Sequence, residues 1–235
     1  MLCATTILEG LYFEFDNIRP MNQWIDRIVA LLEQEVRPSG KEDELRVHSA
    51  VMTGVTFRAP RHSLLDHCLH RVVELLKEPF DPNIKVGAAS MLLGYANVAM
   101  DPEAERVAHL VARPLLDAPY LSARRASFYW SAEGYTHYVR GRYAQALECF
   151  DSARAIAAEH LFRNSNTLMA EARRGLCERR AGLLDRAEAT IRQIESRPFS
   201  QAGLWIAVLD LLKSGVAFDR RKSDRTRRLF AQTVQ

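Results

Sequence analysis

Apolar residues recur along this chain at spacings of three and four, and strict alternation is scarce. Segment 64–76, LLDHCLHRVVELL, carries the pattern. Leu65, Cys68, Leu69, Val72, Val73 and Leu76 form one stripe, and Asp66, His70 and Glu74 lie opposite. Such a segment is an amphipathic helix packed on a neighbour. The same period predicts helices over about 2–14, 20–35, 42–57, 82–99, 102–116, 121–140, 143–158, 162–181, 184–195 and 200–213. Pro20, Pro38-Ser39-Gly40, Pro60, Pro79, Pro82, Pro102, Pro119, Gly141, Gly182 and Pro198 fall at the boundaries. Proline suits a first helical position and glycine a C-terminal cap. Turns this short make consecutive helices antiparallel hairpins.

The pattern also repeats. Gly134, Gly141, Tyr143, Ala146, Phe150 and Ala153 correspond to Gly175, Gly182, Leu184, Ala187, Ile191 and Ile194 at an offset of 41. At an offset of 42 in the other direction stand Leu92, Ala99, Ala104, Ala108 and Val111. Gly134 and Gly175 allow a second helix to approach closely, and Gly141 and Gly182 suit the positive φ of a helix cap. Ala146 and Ala187 mark where the helices of one hairpin nearly touch. Phe150 and Ile191 fill the space beneath the next hairpin. One hairpin cannot bury both its faces, so neighbours must stack.

Trp130, Gly134, Gly141, Tyr143, Ala146, Phe150 and Ala153 resemble the tetratricopeptide (TPR) pattern. His137 stands where that family has tyrosine, and Tyr138 follows. The interval of 41 to 42 residues is similar to that of the TPR-like solenoid in MalT-type bacterial regulators, the large ATP-dependent LuxR class. Residues 121–196 carry the resemblance, and 82–117 carry it more thinly. It implies an all-α, right-handed superhelix of about five and a half hairpins. It also implies that the first helix of each hairpin lines a concave face. Val86, Ala89, Leu93, Ala96 and Asn97 would line it in one hairpin. Phe128, Ser131, Tyr135, Tyr138 and Val139 would do so in the next, and Met169, Ala172, Leu176, Arg179 and Arg180 in the last. Asn97, Phe128, Tyr135, Tyr138, Arg179 and Arg180 combine stiff aromatic area with planar donors for carboxylate or phosphate. They are the candidate contact residues. The alternative is that the aromatics only pack between hairpins. The ATPase module and helix-turn-helix of the large regulators are not evident, and Gly40-Lys41 lacks the spacing of a P-loop.

Charge changes the picture at one place. The net charge is +3, yet residues 219–228 hold six basic and two acidic residues, a net of +4. The remainder is therefore balanced near neutrality. The chain divides into a helical body, 1–218, and a basic segment, 219–235. That segment reads as a solvated tail, or as an electrostatic patch for nucleic acid or an acidic protein surface. Its neighbourhood holds only Phe218 and Phe230 as aromatics, too few for base stacking. A final unpaired helix at 200–213 would leave Leu204, Trp205, Val208 and Leu212 poorly covered, which invites self-association or a further domain.

The remaining chemistry narrows the function. Cys3, Cys68, Cys149 and Cys177 lie far apart without metal-ligand spacing and read as reduced thiols of a cytoplasmic protein. Abundant arginine and alanine hint at a bacterial gene. No secretory leader is evident, and the stretch Val86 to Met100 is too short to span a bilayer. His62, Asp66 and His70 share a helical face, but it is the polar face, so they read as solvated rather than as a metal site. Acidic side chains read as solubilising pairs on helix surfaces. No nucleophilic triad can be assembled. The expectation is a non-enzymatic scaffold without cofactor or metal, binding a protein or peptide partner or a small-molecule effector. Nucleic-acid contact through the basic run is the alternative.

Overall fold

The described residues form eleven α-helices and one 3-10 turn, with no strand. The computed structural model describes residues 1–14, 19–34, 36–160, 165–196 and 204–233, with side chains given except at 13, 14, 165, 204, 223 and 225–233. The helices are α1 Leu2–Glu14, α2 Met21–Glu33, α3 Lys41–Arg58, α4 Leu64–Leu75, α5 Pro82–Ala99 and α6 Pro102–Ala112. They continue as α7 Ala123–Val139, α8 Tyr143–Glu159, α9 Ser165–Arg180, α10 Leu184–Glu195 and α11 Leu204–Thr233.

Local chemistry explains the boundaries. The Asp81 carboxylate accepts from the Asn83 amide, and the Asp101 carboxylate accepts from the amides of Glu103 and Ala104. Each satisfies donors that the helix leaves unpaired, and Pro82 and Pro102 follow in the first position, where a missing N–H costs nothing. The Ser122 hydroxyl accepts from the Arg125 amide at the start of α7. Gly141 and Gly182 end α7 and α9 with φ of 74° and 78°, as their position in the sequence requires. Met100 ends α5 with φ of 56°.

Two elements differ from the expected ones. The helix expected over 102–116 stops at Ala112 and tightens into a 3-10 turn, Arg113–Leu115, where Pro114 removes a backbone donor. The helix expected to stop at 213 instead runs through the basic segment to Thr233. Polarity does not end a helix, because arginine and lysine are good helix formers. The Pro198 turn, the first residues of the helices expected at 162–181 and 200–213, the side chains of Arg225, Arg227 and Arg228, and Phe230 lie outside the described side chains and residues.

Packing follows chain order. The pairs α3–α4, α5–α6, α7–α8 and α9–α10 form hairpins. Helices α3, α5, α7 and α9 also contact one another in succession, and α11 lies against α9 and α10. Gly134 makes one hairpin seam close: a Cβ there would sit 3.0 Å from the Phe150 ring of α8. Ala146 and Ala187 are fully buried at the corresponding crossings. Phe150 reaches beneath the next hairpin to Ala170 and Cys177 of α9.

The end of the stack is better covered than the sequence implied. Trp205, Leu209, Leu212 and Val216 of α11 are buried, and among its described side chains Leu211 and Phe218 stand out as large exposed apolar groups. The basic segment is tied down at its start. Arg179 donates to Asp219 at 2.7 Å, and Arg220 pairs with Glu188 at 2.8 Å and with Asp185. No described helix is long and apolar enough to cross a membrane.

Candidate functional site

The six residues expected on a concave face fall into three groups. Phe128 is buried on α7, with its ring 5.6 Å from that of Tyr12 at an edge-on angle of 65°. Asn97 is buried on α5, and its Oδ1 has no hydrogen-bond partner. Tyr135 and Tyr138 are half-buried, one helical turn apart on α7, and stacked at 6.0 Å. The Arg173 guanidinium of α9 lies 4.1 Å over the Tyr135 ring. Arg179 is held by Asp219, and Arg180 is exposed at the end of α9.

An open groove is therefore not what lines these helices. Val86, Ala89, Leu93, Ala96, Met169 and Ala172 are all fully buried. The reason is α1, which also touches α9. Its Tyr12 ring meets Phe57 of α3 at 5.8 Å and Phe128 of α7, and its hydroxyl lies against Gly94 of α5. Burial pushes the Tyr12 phenol well above its ordinary pKa, against the nearby Arg173 charge. What remains accessible of the aromatic row is the half-buried pair Tyr135 and Tyr138.

A second cluster was not anticipated. It lies where α6, α7 and α8 meet. Glu133 was expected on a surface, yet its side chain is 1% exposed. Arg113 of the 3-10 turn pairs with it. The His137 Nε2 lies 3.6 Å from its carboxylate and the His109 Nδ1 3.9 Å. His109 Nδ1 is also 2.8 Å from the Tyr129 hydroxyl. The Cys149 thiol of α8 completes the group. One ligand atom each from Glu133, His137 and Cys149 falls within 4.8 Å of the other two. Glu133 Oε2 and His137 Nδ1 have no hydrogen-bond partner. A buried polar atom in that condition costs about 1–3 kcal/mol.

Burial sets the protonation states here. It holds His109 below its ordinary pKa in spite of the Glu133 carboxylate. It does the same for His137, with the Arg142 guanidinium adding to the effect. Both imidazoles are thus neutral near pH 7. Burial pushes the Cys149 thiol up to about 12, and the Glu133 carboxylate adds to that. An open cleft of about 410 Å³ adjoins the cluster, lined by Pro102, Glu105, Arg106, His109, Arg140 and Arg142. Burial acts to raise the Glu105 carboxyl, but hydrogen bonds from Arg140 and Arg142 outweigh it and hold the group low.

The next hairpin offers a comparison. The positions 41 residues on from Glu133, His137 and Cys149 are Arg174, Glu178 and Thr190. There Arg174 meets Glu178 at 2.8 Å, and the Thr190 hydroxyl donates to Glu178 at 2.7 Å. Both hairpins thus place polar residues at one helix-packing position. That recurrence was the signal in the sequence that could have located the cluster. By contrast, Asp66 and His70 are exposed on α4, with His70 3.3 Å from Glu74, whereas His62 precedes the helix and is half-buried, its Nδ1 accepting from the Leu64 amide at 3.2 Å.

No family model matches this chain, and no curated protein or solved structure matches it either.

Proposed function

We propose that the chain is a right-handed superhelix of TPR-like hairpins that serves as a non-enzymatic binding scaffold in a bacterial transcriptional regulator. One observation carries this reading: equivalent positions recur at equal intervals. The left-handed caps Met100, Gly141 and Gly182 are each 41 residues apart. So are the N-caps Gly40, Asp81 and Ser122 of the first helices, and the N-caps Asp101, Arg142 and Leu183 of the second helices. Equal intervals and nearest-neighbour packing are what a stacked repeat requires. They favour a 41-residue unit throughout, since Met100 rather than Ala99 takes the cap.

The binding surface in this reading is the accessible end of the aromatic row, Tyr135 and Tyr138, with the exposed Arg180 at the end of α9. Tyrosine gives rigid apolar area, and the Arg180 guanidinium gives donors for an anionic group of a protein, peptide or small effector. A thermal-shift screen of sugars and other metabolites, run beside a search for protein partners, tests it. A ligand or partner that loses at least tenfold in affinity on Tyr135→Ala is the expected result. The reading fails when whatever binds the wild type binds Tyr135→Ala and Tyr138→Ala equally well.

The nucleic-acid alternative rests on the basic run and is weakened by the pairing of Arg220 with Asp185 and Glu188. It requires salt-dependent binding of DNA or RNA that disappears on deleting 219–235. Absence of such binding by the full chain removes it.

A further inference from the structure

We propose that Glu133, His137 and Cys149 form a binding site for one borderline divalent transition-metal ion, of which zinc is the natural representative. This goes beyond the scaffold reading and does not depend on it.

The geometry comes from the hairpin. Glu133 and His137 are four residues apart on α7, so they share a face. Cys149 faces them from α8 across the seam that Gly134 and Phe150 hold close. The three ligand atoms lie within 4.8 Å of one another. Zinc bonds of about 2.0–2.3 Å place tetrahedral ligands roughly 3.3–3.8 Å apart. Binding therefore requires the side chains to close by up to about an ångström.

Unsatisfied valence points to an occupant. Glu133 is almost wholly buried, yet its Oε2 accepts no hydrogen bond, and neither does His137 Nδ1 take part in one. In the following hairpin the equivalent positions carry their own cation: the Arg174 guanidinium lies 2.8 Å from Glu178 and 3.2 Å from the Thr190 hydroxyl, and that hydroxyl donates to Glu178 Oε2, while Glu178 Oε1 is ion-paired without a hydrogen bond. Here the same positions hold a carboxylate, an imidazole and a thiol, which are metal ligands rather than partners for one another. A bound cation would occupy the place that Arg174 takes there.

Chemistry selects the ion. One oxygen, one nitrogen and one sulfur exclude calcium and magnesium, which take oxygen ligands, and suit zinc or cobalt. Three protein ligands leave a fourth position for water. The neutral His137 needs no deprotonation to bind. The Cys149 thiol does, so loading releases a proton and weakens in acid. Arg113 is the opposing charge. Its guanidinium is half-exposed, so it can turn to solvent as the ion enters.

The test uses the full chain and cobalt as a visible substitute for zinc. Cobalt titration should saturate at one equivalent with a thiolate-to-cobalt charge-transfer absorption, and zinc should bleach it. Cys149→Ser should abolish that absorption, and His137→Gln should weaken binding at least tenfold. Cys3→Ser, which removes the exposed thiol, should change neither. Circular dichroism checks that each variant is folded. Should a variant unfold, zinc must still raise the melting midpoint of the wild type and of Cys3→Ser. No saturable cobalt binding overturns the proposal. So does an absorption that survives Cys149→Ser or vanishes with Cys3→Ser.

Discussion

Met100 adopts a left-handed conformation at the position that glycine fills in the two following hairpins. For a residue with a Cβ this costs about 1–2 kcal/mol, set against the extra unfolded-state freedom of glycine, roughly 0.5–1 kcal/mol. Met100→Gly is therefore expected to stabilise the protein by about 0.5 kcal/mol, read as a higher urea midpoint. The only described contact that opposes this is a 3.4 Å approach of the Arg140 guanidinium to the Met100 sulfur. A lower midpoint would mean that this contact outweighs the backbone strain. Glu133 shows the same dependence on context at residue scale. Its type predicts a surface, and its place on α7 puts it among Arg113, His109 and His137.

At the scale of elements, the α7–α8 seam rests on one absent side chain. A Cβ at Gly134 would lie 3.0–3.1 Å from three atoms of the Phe150 ring. That ring is itself held by Ala146, Ala170 and Cys177, so it has little room to give. Overpacking of this kind costs about 1–3 kcal/mol, against a gain near 1 kcal/mol from replacing glycine within a helix. Gly134→Ala should thus lower stability by about 1 kcal/mol in chemical denaturation. Adding Phe150→Leu, which removes ring volume, should recover part of the loss. If the double variant is less stable by the full sum of the single effects, the two residues are not in conflict. Helix α11 makes the complementary point. Its polar second half was read as a tail, but helix propensity and the Arg179–Asp219 and Arg220–Glu188 pairs carry the helix through it.

At the scale of the molecule, most contacts link neighbours in chain order, and α1 is the exception. Its Tyr12 touches α3, α5 and α7 at once. A chain of nearest-neighbour hairpins unfolds in parts unless something couples distant ones. Tyr12→Ala should therefore cost roughly 3–5 kcal/mol. It should also speed hydrogen exchange in α7 as well as in α1. Exchange that quickens in α1 and α2 alone would show that Tyr12 does not couple the stack.

The sequence by itself determined the helices. The period of three and four, the prolines at first positions and the glycines at Gly141 and Gly182 are local signals, and local hydrogen bonds decide local structure. Ten of the eleven helices lie within a few residues of their expected bounds, and α11 overruns because no local stop signal exists there. The packing roles of Gly134, Ala146 and Phe150 were legible in the repeated spacing, whereas a Cβ at the equivalent Gly175 would meet Leu212 and Thr190 rather than Ile191. Only the tertiary structure decided what faces what. Phe128 and Asn97 are equally legible as groove or core, and it is Tyr12, more than a hundred residues before Phe128, that covers the aromatic. Glu133, His137 and Cys149 acquire a common chemistry only when α7 and α8 close on each other. Burial and juxtaposition are properties of distant segments brought together, and no spacing along the chain states them.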